Sequence, residues 1–226
     1  MADPVVLRGR SIDAGTLWNC GKRAAYSAAP RTGKGRPSRR RRVPGDRLAV
    51  SEEEAPVPGR WTTFAGYNAW ANARLYAAAR ALPPERLHED AGAFFGSLLA
   101  TLNHLLVADR IWMRRFTGGG DAPARLDAIL HDDLHTLSAA RIAEDRRISD
   151  WVASLSDDDL AGVLRYRRIT APDDIGQPLV EALAHFFNHQ THHRGQAHAL
   201  VTRFGGRKAG PVLDLLVFQK EAVAAR

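Results

Sequence analysis

Cysteine is almost absent from this sequence, which has one, Cys20, among its 226 residues. A single thiol cannot form an internal disulfide and rules out a zinc site built from several cysteines, so a reducing compartment fits best. No apolar run approaches the roughly 18 residues that span a bilayer, and the first residues lack the apolar stretch of a secretory signal. We therefore expect a soluble, cytoplasmic protein.

Two common catalytic signatures are also missing. Gly33-Lys34 lacks the spaced glycine and the following Ser or Thr of a phosphate-binding loop. The sequence contains no His-Glu-x-x-His, so the general-base glutamate of zinc peptidases is not in its usual place. The sequence therefore predicts neither a phosphate-binding loop nor a zinc-peptidase helix.

The excess positive charge is confined to the first 60 residues. They carry 13 Lys and Arg against 6 Asp and Glu, a difference of +7, whereas residues 61–226 carry 19 of each kind. A neutral body offers no electrostatic footprint for a polyanion. We expect no membrane partner, and a nucleic acid only through the basic run Arg39–Arg42, if at all.

Residues 1–60 differ from the rest in composition as well as in charge. They are rich in Gly, Pro, Ser and Arg and show no sustained apolar periodicity, which is typical of disorder. We interpret them as a disordered basic N-terminal extension, with Arg39–Arg42 as a solvated run. Residues 61–226 are then the folded domain.

Within that domain, apolar residues recur at three- and four-residue steps in four long segments. The predicted helices cover Trp61–Leu82, Phe94–Phe116, Leu134–Leu155 and Leu179–Phe204. A strand or hairpin around Val163–Ile169 precedes the last of them, and a closing helix is predicted for Val212–Ala224. The pattern predicts an all-α, up-and-down four-helix bundle with a small strand or hairpin insertion before the last long helix.

Histidines are concentrated in the last long helix, where His185, His189, His192 and His193 are four of the nine in the chain. Residues four apart lie on the same helix face, so the pairs His185/His189 and His189/His193 can each converge on a metal ion. His104, flanked by leucines in the second helix, is predicted to point inward and to supply a third ligand from a facing helix. Spacing alone does not decide which pair binds.

A second pair four residues apart, His131 and His135, stands at the entry of the third helix. Asp132 and Asp133 lie between them and indicate a solvated helix start. We therefore treat this pair as a minor alternative metal site.

Three motifs resemble those of the DinB/YfiT-like metalloenzyme family: Tyr67–Asn72, Leu102–His104 with Asp109 and Trp112, and Asn188–Gln196. The resemblance covers about residues 61–218 and leaves out the N-terminal extension. It implies a four-helix bundle, generally dimeric, with a divalent metal ion held by three histidines. The family's ligands correspond to His104, His189 and His193 in this sequence.

For the ion, the resemblance implies zinc or nickel, with iron, cobalt or manganese as alternatives. Three neutral imidazoles leave the ion its full charge and at least one open position. The site lining is predicted to include His185, Asn188, His192 and Gln196. Glu181 is a candidate for the rim, and Arg194 for a supporting or interface role. No catalytic residue can be named.

The resemblance also implies a function. Relatives with assigned activities are thiol-dependent S-transferases or isomerases, so a metal-dependent enzyme using a low-molecular-weight thiol is the leading hypothesis. A metal ion lowers the pKa of a bound thiol and so favours its nucleophilic thiolate. The alternatives are a hydrolase using metal-bound hydroxide and a non-catalytic metal-binding, stress-response protein.

Overall fold

The computed structural model describes residues 57–167 and 174–224. In chain order its elements are α1 (Val57–Arg80), α2 (Pro84–His88), α3 (Leu98–Thr117), α4 (Leu134–Ala153), α5 (Asp157–Leu160), β1 (Val163–Arg167), β2 (Asp174–Pro178), α6 (Leu179–Gly205) and α7 (Leu215–Ala224). A short 3₁₀ turn, Arg207–Ala209, follows α6. All but the last four residues of the predicted N-terminal extension lie outside the described residues, and α1 begins before the predicted Trp61.

The ends of the two central helices follow from local capping chemistry. Ser97 Oγ accepts a hydrogen bond from Ala100 N at the start of α3, and Gly118 ends that helix with a φ of 72°. Glycine adopts this left-handed conformation without the steric cost of a Cβ atom. Asp133 caps α4 by accepting from Thr136 N at 2.9 Å. Each of these helices is therefore 20 residues long.

Four long helices form the bundle. α1 packs against α4 and α6, and α3 packs against the same two helices, so α1 and α3 stand diagonally across the core. The antiparallel hairpin β1–β2 connects α5 to α6. The predicted all-α four-helix bundle, with a small hairpin before the last long helix, is confirmed.

The direction of each helix follows from pairs of contacts between neighbours. α1 runs antiparallel to α4, as the pairs Asn68–Asp145 and Arg80–Ser138 show. α3 runs parallel to α4, with the pairs Arg110–Glu144 and Thr117–Arg147. α3 runs antiparallel to α6, with the pairs His104–His193 and Trp112–His185. The four long helices therefore run up, down, down and up in chain order. An up-and-down bundle would alternate at every step, and this one departs from that prediction between α3 and α4.

The connection between α3 and α4, residues 118–133, accounts for their shared direction. A 20-residue helix is about 30 Å long. The connecting residues 118–133, when extended, are long enough to return over that distance. The connection runs back along α3, because Leu126 O lies 2.8 Å from His104 Nδ1 and the backbone of His131 is bound by Asn103. We call it the crossover segment.

The apolar core is divided into two clusters by a layer of buried polar side chains. One cluster lies towards the start of α3 and the end of α6, and the other towards the opposite ends of those helices. All four long helices contribute to what we call the polar layer: Asn68, Asn72, Asp109, Arg141, Asp145, Gln190 and Arg194. Buried polar groups are tolerated only when they are paired, so this layer sets which side chains must meet.

Arg141 is the centre of the polar layer and is only 2% exposed. Its guanidinium lies 2.6 Å from Asp109 and 2.9 Å from Asp145. Asp145 also accepts hydrogen bonds from Asn68 and Asn72 on α1. Burial raises the pKa of Asp109, and the adjacent Arg141 guanidinium opposes that shift.

The other two buried polar side chains of the layer come from α6. Gln190 Nε2 donates to Asp109, and an Arg194 N–H donates to Asn68 Oδ1. The polar layer therefore joins all four helices by side-chain contacts at one level of the bundle.

The helices α2 and α5 were not predicted, because one-turn helices are too short to show a periodic apolar pattern.

The closing helix, α7, begins later than the predicted Val212 and packs on α1. Its Phe218 ring lies 5.9 and 5.7 Å from the rings of Tyr67 and Trp70, and Glu221 accepts from Trp70 Nε1 at 2.8 Å. Among the described residues, no helix is both long and apolar enough to cross a membrane.

Replacing Arg141 with methionine is expected to lower the free energy of unfolding by about 3–5 kcal/mol. The substitution leaves the carboxylates of Asp109 and Asp145 buried without their cation, which is the costly way to break a buried ion pair. Denaturant unfolding of metal-free protein measures the change. Arg167→Met, which removes an exposed partner of Asp174, is the control and should have no measurable effect. An Arg141→Met variant as stable as the wild type would contradict this account of the polar layer.

Candidate metal centre

His104 lies on the face of α3 that the crossover segment covers, and it is only 4% exposed. Its Nδ1 donates to Leu126 O at 2.8 Å, because a carbonyl oxygen can only accept. This bond assigns the proton to Nδ1 and leaves the Nε2 lone pair available. Within the described part of the chain, the buried Nε2 has no hydrogen-bond partner. A buried acceptor in that position is the expected state of a metal ligand.

His189 and His193 complete the arrangement from α6. One nitrogen from each of the three rings lies within 4.8 Å of the others. The ring of His193 is 4.4 Å, centroid to centroid, from both His104 and His189. His193 Nδ1 donates to Gln196 Oε1 at 2.8 Å, so its other nitrogen is the acceptor. The three histidines therefore fit one metal ion, and both assigned tautomers leave Nε2 as the ligand atom.

Burial keeps these imidazoles neutral. It lowers the pKa of His104 to about 4, although the hydrogen bond to Leu126 opposes the shift. The pKa of His189 falls to about 2, through burial first and the neighbouring imidazoles second, and burial also lowers the pKa of His193. Metal binding requires neutral imidazole, so no proton has to leave these rings near neutral pH.

The crossover segment is held in place next to His104 by the side chain of Asn103. Asn103 Oδ1 accepts from the backbone N–H groups of Leu130 and His131, and its Nδ2 donates to the carbonyls of His131 and Leu99. All four hydrogen-bonding positions of the buried amide are used. Asn103 thereby fixes the segment that supplies Leu126 O to the neighbouring histidine.

The other predicted lining residues also lie on α6 and differ in how close they come to the triad. His185 lies next to His189, with ring centroids 6.0 Å apart, and is half-buried. His192 is exposed and accepts from Gln196 Nε2 at 3.3 Å. Asn188 and Glu181 are exposed on α6, and the structure brings neither of them into the triad.

The alternative pair, His131 before α4 and His135 on it, is not brought together with the triad. His131 contributes its backbone to Asn103, and His135 is exposed on the first turn of α4. Among the described residues, the triad is the one group of three His, Cys, Asp or Glu whose ligand atoms converge in this way. Arg194, the candidate for a supporting or interface role, is buried in the polar layer and lies over the ring of Tyr67.

Three contributors to the site were missed by reasoning from the sequence. Phe95 stacks on His104 with a centroid separation of 4.0 Å, although it was assigned to a helix that starts only at Leu98. Leu126 acts through a backbone carbonyl, which leaves no signature in a sequence. Asn103 did offer a signal, because a polar amide on a leucine-rich helix face indicates buried hydrogen bonding.

The metal-free protein is expected to lose stability as the pH falls below about 6.5. Between that value and about 4, the unfolded imidazole of His104 binds a proton and the folded one does not. The unfolded state is then favoured, by about 3 kcal/mol over the full window. Denaturant unfolding between pH 7.5 and 4.5 tests this, and His104→Gln should flatten the slope. His135→Gln, at an exposed position, is the control and should leave the slope unchanged. Equal slopes for the wild type and His104→Gln would contradict the assignment.

Comparison with known proteins gives an independent view of the same region. Residues 57–221 match the family model described as DinB family. The chain is also 27% identical over 169 residues to Protein DinB of Bacillus subtilis (strain 168), across 70% of this chain and 94% of that protein. No solved structure matches the chain. The family match spans the four helices of the bundle and all three converging histidines, and the chain therefore belongs to the DinB family.

Proposed function

We propose that His104, His189 and His193 hold one divalent metal ion and that this centre is the active site of a metal-dependent enzyme. The observation that carries the proposal is the convergence of three neutral nitrogens, one of them the unpartnered and buried Nε2 of His104. Imidazole ligands suit zinc and nickel best, with iron, cobalt or manganese as alternatives.

The residues around the three histidines fix their tautomers, cover one side of the site and leave the other side accessible. The carbonyl of Leu126 and the amide of Gln196 each fix the tautomer of one ligand histidine. Phe95 covers His104 and lies 5.5 Å from the ring of His193, which excludes water from that side. His189 and its neighbour His185 are only half-buried, so a substrate approaches along the α6 side.

We favour a thiol-dependent S-transferase or isomerase as the type of enzyme. When bound, the metal ion supplies a positive charge that stabilises an ionised thiol. The converging group contains no carboxylate, so its three histidines leave that charge undiminished. A low-molecular-weight thiol is then the expected co-substrate, because a soft anion suits zinc in a nitrogen-ligand site.

One observation favours the hydrolase alternative. The carboxyl of Asp127, in the crossover segment, is close enough to His104 for each to shift the pKa of the other. A carboxylate near a metal centre can accept a proton from water. Asp127 is however paired with Arg125 at 2.7 Å and is half-exposed, which makes it a poorly placed base. The non-catalytic metal-binding alternative remains as an outcome of the tests.

Homodimer formation, a cytoplasmic location and a small-molecule substrate remain part of this proposal. They rest on family membership, on the single cysteine of the chain and on the half-exposed side of the site.

Alanine at His104, His189 or His193 is expected to lower metal affinity by about 100-fold or more, because each ring supplies one of three ligands. The bundle should remain helical, since the apolar clusters and the polar layer are untouched. Metal content of protein purified without an affinity tag, together with circular dichroism, measures both effects. His185→Ala and His131→Ala are matched controls that should keep the metal. Full stoichiometric metal in His104→Ala would disprove the triad.

Cobalt-substituted protein is expected to bind a small thiol directly at the metal. Three neutral ligands leave the metal its charge, so thiolate affinity should rise with pH until the thiol is ionised. Sulfur ligation to cobalt gives an intense charge-transfer band near the ultraviolet edge, which an absorption titration records. His189→Ala should lose the band. No band with any cellular thiol, together with hydrolysis of ester or amide substrates, would favour the hydrolase. Neither band nor turnover would favour the non-catalytic alternative.

A further inference from the structure

A groove of about 480 Å³ opens along the seam between α1 and α4. This seam lies across the bundle from the one between α3 and α6, where the three histidines converge. The small side chains of Ala69 and Ala73 leave room for the groove on α1, and Ile142 contributes an apolar wall from α4. The volume lies within the range of small-molecule sites, about 300–1,000 Å³. The proposed metal chemistry makes no use of this groove.

Two buried polar side chains, Asn72 and Tyr76, form the floor of the groove. They are 1% and 3% exposed, and both line it. Asn72 Nδ2 donates to Asp145, but among the described residues neither Asn72 Oδ1 nor the Tyr76 hydroxyl has a hydrogen-bond partner. Burial raises the pKa of Tyr76, so its hydroxyl stays protonated and can both donate and accept. Buried polar atoms are costly to leave unpaired, so the floor suits a ligand that supplies the missing bonds.

The two ends of the groove differ in charge. Arg80 and Ser138 line one end, where a single N–H group of Arg80 donates to Ser138 Oγ at 3.1 Å. The lining carboxylates, Asp145 and Asp150, lie at least seven residues further along α4. At the other end, Arg146 and Asp150 are one turn apart and balance each other in charge. The Arg80 end is therefore the cationic end of the groove.

We propose that this groove binds a small hydroxy acid, with its hydroxyl at Asn72 and Tyr76 and its acid group at Arg80. A ligand hydroxyl can donate to Asn72 Oδ1 and accept from the Tyr76 hydroxyl at the same time. A carboxylate can bind the remaining N–H donors of Arg80. Tyr76 and Arg80 are one helical turn apart, so the two groups of the ligand must be separated by about 5–6 Å. A ring or short chain between them packs on Ala73 and Ile142.

Calorimetric titration of the full chain with para-hydroxybenzoate tests the proposal, because this rigid molecule carries its hydroxyl and its carboxylate at opposite ends of one ring. The matched probes are benzoate, which lacks the hydroxyl, and para-hydroxybenzyl alcohol, which lacks the charge. Para-hydroxybenzoate should bind with a Kd of about 1 mM or tighter. It should bind about fivefold more tightly than benzoate and about tenfold more tightly than the alcohol. These affinities should be the same after a chelator has removed bound metal, because the groove lies apart from the three histidines.

Tyr76→Phe removes only the hydroxyl and should lower the affinity for para-hydroxybenzoate about fivefold, while benzoate binds as it does to the wild type. Its free energy of unfolding should not fall, because the lost hydroxyl has no partner among the described residues. Arg80→Gln should abolish the preference for the acid over the alcohol. Arg146→Gln, at the other end of the same groove, is the matched control and should keep both preferences.

Four results would overturn the proposal. The first is equal affinity of the wild type for all three probes, and the second is binding that is lost with the metal. The third is an equal loss of affinity in Arg80→Gln and Arg146→Gln, which would indicate unspecific attraction of the anion by surface charge. The fourth is the lack of saturable binding at about 10 mM, which would mean that the groove holds only solvent.

Discussion

The structure depends on the pairing of one buried cation, Arg141, with two buried carboxylates. Removing these charges from water costs several kcal/mol per ion unless each finds a partner. Asp109 brings α3 to that partner, Asp145 brings in α1 through two asparagines, and Gln190 ties α6 to Asp109. These contacts restrict the rotation and the height of each helix. Apolar packing alone tolerates small shifts between helices, and the polar layer reduces that tolerance.

The positions of the three histidines depend directly on this restriction. Gln190 follows His189 in the chain and lies one turn from His193, so the bond from Gln190 to Asp109 also fixes the rotation of the ligand face of α6. His104 stands five residues before Asp109 on α3. The contacts that position the helices are therefore the same contacts that bring the histidines of two helices together. A site built on rigid helices holds its geometry better than one built on loops.

The sequence predicted features that depend on neighbouring residues, such as the helices and their faces. It did not predict most contacts between residues that are remote in the chain. His189 and His193 share a face because of helical spacing, which is visible in the chain itself. His104 was predicted to point inward because leucines flank it, whereas the choice of the pair His189/His193 over His185/His189 needed the family resemblance. The buried pairing of Arg141 with Asp109 was not predicted, because the two residues are remote in the chain and their contact leaves no periodic pattern. The return of the crossover segment along α3 was not predicted for the same reason, although it sets the shared direction of α3 and α4.

The two sides of the centre differ in a way that bears on its chemistry. The crossover segment and Phe95 close one side, where the environment is apolar and His104 must remain neutral. The other side runs along α6, where His185 and His189 are half-buried. In the proposed metal-bound protein, a neutral ligand set would leave the charge of the ion uncompensated. An anion that reaches the ion from that side would then be attracted more strongly than a neutral molecule of the same size.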